Sequence, residues 1–189
     1  MIQNLFPVPV YVNKIKSSID LKTICLDMAN GESVKRSNKG GYQSPNIVSN
    51  KKFSKLIYAI EFAANKFAVN LGLKNNLKVD NLWVNVNGYK DYNLIHSHPK
   101  CVFSGAYYVS VPKNSGRLEF YSPAYEGIEY DWSDNVQNRN ITNSAILNYD
   151  LEENLFLLFP SWLKHQVEPN LNEKEKRISI AFNLLAAVA

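Results

Sequence analysis

The chain has three histidines, and two of them, His96 and His98, stand one residue apart in Ile95-His96-Ser97-His98-Pro99. The third, His165, lies in the run FPSWLKHQVEP, Phe159 to Pro169. In an extended strand, residues two apart project to the same face about 6.6 Å apart along the chain, so both imidazoles of an H-x-H pair can aim at one point. That is a chelating arrangement. A third ligand must come from a distant strand, and His165 is the remaining histidine, placed just after the apolar run LFLLFPSW where a neighbouring strand would begin. Imidazole suits iron, zinc, copper or nickel, and three protein ligands on one face leave coordination positions open to a substrate. Open coordination points to catalysis more than to structural support. Taken singly, a histidine is usually a surface or satisfied core residue; here the whole histidine complement is confined to two places, and a proline closely follows the pair.

Arg177 stands in KRISIAFN, twelve positions after His165. Arg177 and Ser179 are two apart on an expected strand, so they share a face and can grip one carboxylate, the guanidinium as a paired fork and the hydroxyl as a third donor. The plain alternative makes Arg177 the last cation of a solvated EKEKR turn. Its place on an otherwise apolar strand, after a metal-type histidine, favours the first. Asn85 and Asn87 in WVNVNGY also share a strand face; they can line a pocket or end a strand at a turn.

Elements must carry these residues. LFPVPVYVN, Leu5 to Asn13, alternates apolar residues with proline and suits an edge strand. A short helix is expected over 18–29, capped by Ser17 or Ser18 and stopped by Gly31. From Lys51 to Leu71 the apolar residues recur at three- and four-residue steps and Gly72 stands at the stop position, which predicts a helix with one buried face. Beyond residue 78 the chain breaks into short β-rich runs (NLWVNVNGY, VFSGAYYVSVP, GRLEFYSP, NLFLLFP, HQVEP, RISIAFNLLAAV), the pattern of a sandwich or barrel. Residues 124–153 are polar, rich in Asn, Asp and Glu, with Tyr125, Tyr130 and Trp132 interspersed and Arg139 the sole cation. Long loops of this kind are functional or disordered.

The order HSHP, SGAYYVSVP, LFPSWLKHQVEP, RISIAFN resembles the iron(II)- and 2-oxoglutarate-dependent dioxygenase superfamily, in particular a group of 2OG-Fe(II) oxygenases from bacteria and phages. GGYQS, Gly40 to Ser44, is similar to a feature of that group, and the resemblance spans about residues 40–185. It implies a mainly β double-stranded β-helix, a jelly-roll, cupin-like barrel buttressed by N-terminal helices. The chain then reads as a single domain over 1–189, with residues 1–77 supporting a core at 78–189 and 124–153 as a lid-like insertion. The superfamily pattern is His-x-Asp or His-x-Glu, then a distal histidine, then an arginine about ten residues on that binds the far carboxylate of 2-oxoglutarate. Carried across, His96, His98 and His165 become the catalytic metal ligands for Fe(II), and Arg177 with Ser179 the cosubstrate anchor. Asn85 is a further cofactor-binding candidate, and Tyr108 resembles a tyrosine that donates to the same carboxylate in some related hydroxylases; its plain reading is a core aromatic. His98 falls where the carboxylate should be, which raises the net charge at the metal; Asp91 or Glu119 is the substitute if His98 is not a ligand. Three protein ligands leave room for the keto acid and dioxygen, and the implied activity is hydroxylation of a small-molecule or peptide substrate.

Two other readings use the same residues. One is a cupin-type three-histidine dioxygenase without keto acid; Pro160 precedes His165 by five residues as in the second cupin motif, but the glutamate expected after H-x-H is missing. The other is a non-enzymatic jelly-roll module with structural zinc or none, which has no need of Arg177. Length and a 46% hydrophobic content allow one well-buried core. The net charge of +4 comes from scattered lysines rather than a basic stripe, so no nucleic-acid partner is expected. Cys25 and Cys101 form no disulfide framework or CxxC pair, no apolar stretch reaches the roughly 18 residues of a membrane span, and a cytoplasmic setting is expected. A homodimer is left open.

Overall fold

The computed structural model describes residues 2–17 and 19–187. Two sheets, all of whose pairings are antiparallel, form the double-stranded β-helix, and two helices flank it. The larger sheet has the order β1 (Tyr11–Lys14), β9 (Leu155–Pro160), β6 (Phe103–Ser110), β11 (Arg177–Ala186), β4 (Leu77–Asn87), β3 (Tyr42–Gln43). The smaller has β2 (Asn38–Lys39), β5 (Tyr92–His96), β10 (His165–Val167), β7 (Leu118–Tyr121), β8 (Ile146–Tyr149).

Period-two alternation decides which side chains reach the site. On β11 the residues Ile178, Ile180, Phe182 and Leu184 pack with Leu82, Val84 and Val86 of β4 in the core that also holds the buried face of α2 (Ser54–Asn70). Burial of each large side chain there stabilises the fold by about 1.5–3 kcal/mol. The intervening residues Arg177, Ser179 and Asn183 of β11, with Asn85 and Asn87 of β4, therefore face the other way. That inner face also carries Tyr108, paired with Ser179, and a second core in which Tyr108, Leu155, Leu157 and Phe159 meet Leu118 and Phe120 of the smaller sheet. The inner surface of the larger sheet is thus apolar at β6 and β9 and polar at β4 and β11.

Helix α2 follows the sequence reading, entered through a single 3-10 turn at Lys51–Phe53 and ended at Gly72 with φ 71°. Helix α1 (Leu21–Met28) starts later than expected: Asp20 caps it, Oδ1 accepting from the Thr23 N–H at 3.0 Å, because a carboxylate both caps and complements the positive helix end. Ser17 does not cap it, and Ser18 lies outside the described residues. The N-terminal strand is shorter than Leu5 to Asn13 suggested; pairing begins at Tyr11, beyond the two prolines, and Leu5 and Phe6 are exposed. Within 124–153 the chain is not all loop, since Ile146–Tyr149 pairs with β7. Gly40 and Gly41, with φ 64° and 60°, turn the chain from β2 in one sheet to β3 in the other, a left-handed step that side chains with a Cβ resist.

Candidate metal centre

The three histidines converge from two strands and a turn. His165, first residue of β10, pairs directly with His96, last residue of β5. His98 lies beyond the end of β5, so the turn and not the strand pleat brings it in; its N–H donates to the Ser161 carbonyl at 2.8 Å, tying it to the segment that carries His165. The ring centroids stand 4.4 Å (His96 to His165), 4.9 Å (His96 to His98) and 5.2 Å (His98 to His165) apart. One ring nitrogen from each lies within 4.8 Å of the others. Metal–nitrogen bonds of about 2.1 Å at right angles put two nitrogens about 3 Å apart, so the cluster closes on a shared ion by shifts of about 2 Å or less.

Protonation favours coordination. His96 Nδ1 sits 2.6 Å from the Leu94 carbonyl and His165 Nδ1 2.9 Å from the Leu163 carbonyl; a carbonyl oxygen only accepts, so Nδ1 carries the proton and Nε2 keeps its lone pair. Burial holds all three rings below the usual histidine range, with the neighbouring imidazoles adding to it at His98, lowered to about 4, and at His165, lowered to about 3. All three are neutral at pH 7. Phe159 and Phe120 pack on His165, and Trp83 stands 5.8 Å from the His98 ring.

Asp91 and Glu119 do not join them. Asp91 Oδ2 accepts from the Gly88 N–H at 2.7 Å. Glu119 accepts from Gln166 Nε2 on the opposite strand face from Phe120 and His165. Among the described residues, the three histidines are the one group of three or more metal-ligating side chains close enough to share an ion.

Arg177 is 1% exposed, and no carboxylate pairs with it among the described residues. Its Nη1 donates to the carbonyls of Ser115 and Glu168, while Nη2 has no partner. The nearby Glu168 carboxylate is instead engaged by Arg117, at 3.1 Å from Nε and 3.0 Å from Nη2. Burial draws the Arg177 guanidinium below its ordinary value, opposed by Tyr108, Asp91 and Glu168. A buried cation without a counter-charge costs several kcal/mol, which a bound anion would offset. Asn85, Ser179 and Tyr108 lie side by side across β4, β11 and β6, and Asn87 pairs with Arg177. Burial pushes the Tyr108 hydroxyl up to about 12, so it remains a donor at neutral pH. The larger sheet thus offers a buried cation with a row of polar side chains beside it, and the smaller sheet three neutral metal-type ligands. Gln43 of β3 pairs with Asn85 of β4, and a single amide in GGYQS carries no spacing that marks it in the sequence. An open concavity of about 550 Å³ is lined by Val111, Gly116, Arg117 and Glu168 rather than by the histidines.

No helix among the described residues is long and apolar enough to cross a membrane. No curated protein matches the sequence significantly. Three solved structures share the fold: a Pseudomonas putida prolyl-4-hydroxylase (14% identity, 96% of this chain and 94% of that one, TM-score 0.65); HygX from Streptomyces hygroscopicus with nickel, 2-oxoglutarate and hygromycin B bound (10%, 95% and 84%, 0.63); and the viral collagen prolyl hydroxylase of Paramecium Bursaria Chlorella virus-1 as a 2OG complex (13%, 94% and 97%, 0.59). The model of the family described as "Putative 2OG-Fe(II) oxygenase" matches residues 81–183, more than half of the chain, from within β4 to within β11. The chain belongs to that family of iron(II)- and 2-oxoglutarate-dependent oxygenases.

Proposed function

We propose that this enzyme is a hydroxylase in which His96, His98 and His165 hold iron(II), and Arg177, Ser179, Tyr108 and Asn85 seat 2-oxoglutarate. The observation that carries the reading is the fully buried Arg177 with Nη2 unpartnered on β11 of the larger sheet, beside a cluster of three neutral imidazoles carried by the smaller sheet. When bound, iron(II) with 2-oxoglutarate and dioxygen supplies the oxidation, coupling loss of carbon dioxide from the keto acid to oxygen insertion at a substrate C–H bond.

The protein's share is placement. Arg177 and Tyr108 donate to the far carboxylate, Ser179 adds a third donor, and the fixed tautomers of His96 and His165 keep their lone pairs toward the ion. With His98 in place of a carboxylate, the protein ligands bring no charge, so the dianionic keto acid alone neutralises the ion. That makes metal and keto-acid binding mutually reinforcing. Phe120, Phe159 and Trp83 exclude water from the histidines. Residues 124–153 act as a cover: Tyr121, just before them, donates its N–H to the Lys164 carbonyl at 2.9 Å, so the excursion leaves the sheet beside His165. A small-molecule or peptide substrate fits this architecture, and the unpaired Cys25 and Cys101 suit a reducing cytoplasm.

The test is anaerobic titration of the iron(II) protein with 2-oxoglutarate, followed by succinate release in air. A weak visible charge-transfer band is expected in the wild type and absent from Arg177→Ala with iron still bound. Iron bound without that band in the wild type would transfer the assignment to a cupin-type oxygenase.

A further inference from the structure

Four buried side-chain atoms among the described residues lack a hydrogen-bond partner: Gln43 Oε1, Asn85 Oδ1, Asn87 Nδ2 and Arg177 Nη2. They share one face of three adjacent strands, because Gln43 pairs with Asn85 and Asn87 with Arg177, and directly opposed residues of an antiparallel ladder project to the same side. With the amides oriented as they stand, two are donors and two are acceptors, sorted by row. The donors stand in the Arg177 row, where an incoming carboxylate meets them. The acceptors stand in the Gln43 row.

At neutral pH 2-oxoglutarate carries acceptor oxygens only, so it cannot satisfy Gln43 Oε1 or Asn85 Oδ1. Both residues are more than nine-tenths buried, and an amide oxygen held dry without a donor is destabilising. The pair calls for a second ligand bearing N–H groups. Asn85 serves both molecules, since its amide nitrogen remains for the keto acid.

The rim carries the matching charge. Between β7 and β8, residues 124–145 hold four acidic side chains, Glu126, Glu129, Asp131 and Asp134, against Arg139 alone, in a chain whose total is +4; Asp150, Glu152 and Glu153 follow β8 at its other end, where Glu152 pairs with Lys14. This acidic segment departs beside His165, and Tyr130 and Trp132 on it are exposed, with ring faces that attract cations.

We propose that the primary substrate is an amine- or guanidine-bearing molecule, drawn in by the acidic side chains of 124–145 and held inside the barrel through N–H donors to Gln43 Oε1 and Asn85 Oδ1. The inference rests on the keto-acid reading above and names the substrate class for that site.

Its test is calorimetric titration of the full-length protein, loaded with Ni(II) and saturating 2-oxoglutarate, with three five-carbon probes: pentane-1,5-diamine, pentane-1,5-diol and glutarate. Agmatine serves as the guanidine counterpart. The diamine or agmatine is expected to bind saturably, about tenfold or more tighter than the diol, with affinity falling as salt is added. Gln43→Leu should lower that affinity about tenfold while 2-oxoglutarate affinity changes by less than about threefold. Gln43→Glu, of equal size with added negative charge, should bind the amines at least as tightly as the wild type, which separates recognition from folding. Equal binding of diol and diamine, no saturable amine binding to the wild type, unchanged amine affinity in Gln43→Leu, or equal losses in the Leu and Glu variants would each overturn the proposal. A wild type that takes up Ni(II) but not 2-oxoglutarate would take down the keto-acid reading first, and this inference with it.

Discussion

Arg177 is where binding and stability pull in opposite directions. Its guanidinium is buried with one nitrogen unpartnered, so the protein without ligand bears a desolvation cost that an apolar side chain of similar length would not. Arg177→Met removes that cost together with the donors to the Ser115 and Glu168 carbonyls, so it is expected to melt close to the wild type without ligand, yet to lose about 2–4 kcal/mol of 2-oxoglutarate affinity. Calorimetry on the Ni(II) protein and a thermal melt read the two effects separately; a lower melting temperature together with intact affinity would make the residue structural. The histidines divide in a similar way. His165 is packed between Phe120 and Phe159, whereas His98 sits on a turn, so His165→Ala should abolish iron binding while His98→Asp, restoring the family's carboxylate, should keep one iron per chain by metal analysis. Both histidine positions and Arg177 were legible in the sequence because rare residue types at fixed spacing carry their own signal. Gln43 was not, since one amide in a two-residue strand has no pattern around it.

At the scale of elements, legibility followed burial. The strands β4, β6, β9 and β11 show as apolar runs because the larger sheet is covered on one face by helices and on the other by the second core. Strands β2 and β3 are two residues long, and what makes them strands is the partner they pair with, not their own sequence; β10, three residues long, shows in the run HQVEP. The pleat argument for His96 and His98 failed for the same reason: β5 stops at His96, and the hydrogen bond to Ser161 supplies the convergence instead. The Gly40-Gly41 turn that sets β3 against β4 gives this an energetic test. A Cβ on Gly41 would meet the Val86 carbonyl at 2.9 Å and Asn87 Nδ2 at 3.0 Å, on top of a φ of 60°. At Gly72, φ 71°, it would meet nothing within 4 Å. Gly72→Ala should cost about 1 kcal/mol from backbone strain alone, and Gly41→Ala about 1–3 kcal/mol, by urea unfolding. Equal costs at the two positions would mean that β3 is not held tightly against β4.

Over the whole molecule, the buried imidazoles link folding to pH and to metal. Folded, His98 titrates at about 4 and His165 at about 3, while both return to the ordinary histidine range near 6.5 when the chain unfolds. The unfolded state therefore binds more protons between those limits, so their contribution is fully present above about pH 6.5 and is lost progressively as the pH falls. The urea midpoint of the metal-free protein should drop on acidification from pH 7 to 4.5, and His165→Leu, which removes one of the titrating rings, should drop less. Metal acts on the same nitrogens from the other side. Ni(II) at a hundred times its dissociation constant adds about 2.7 kcal/mol to folding at pH 7.5, and 2-oxoglutarate adds a further increment through Arg177. Lowering the pH at fixed Ni(II) should leave the first increment nearly intact until the folded His98 and His165 rings begin to protonate near pH 4, where protons compete with the ion for the folded site. In Arg177→Met the Ni(II) increment should persist and the keto-acid increment should vanish. A keto-acid increment that survives the substitution would place the carboxylate anchor elsewhere on the inner face, with Asn87 the first residue to test.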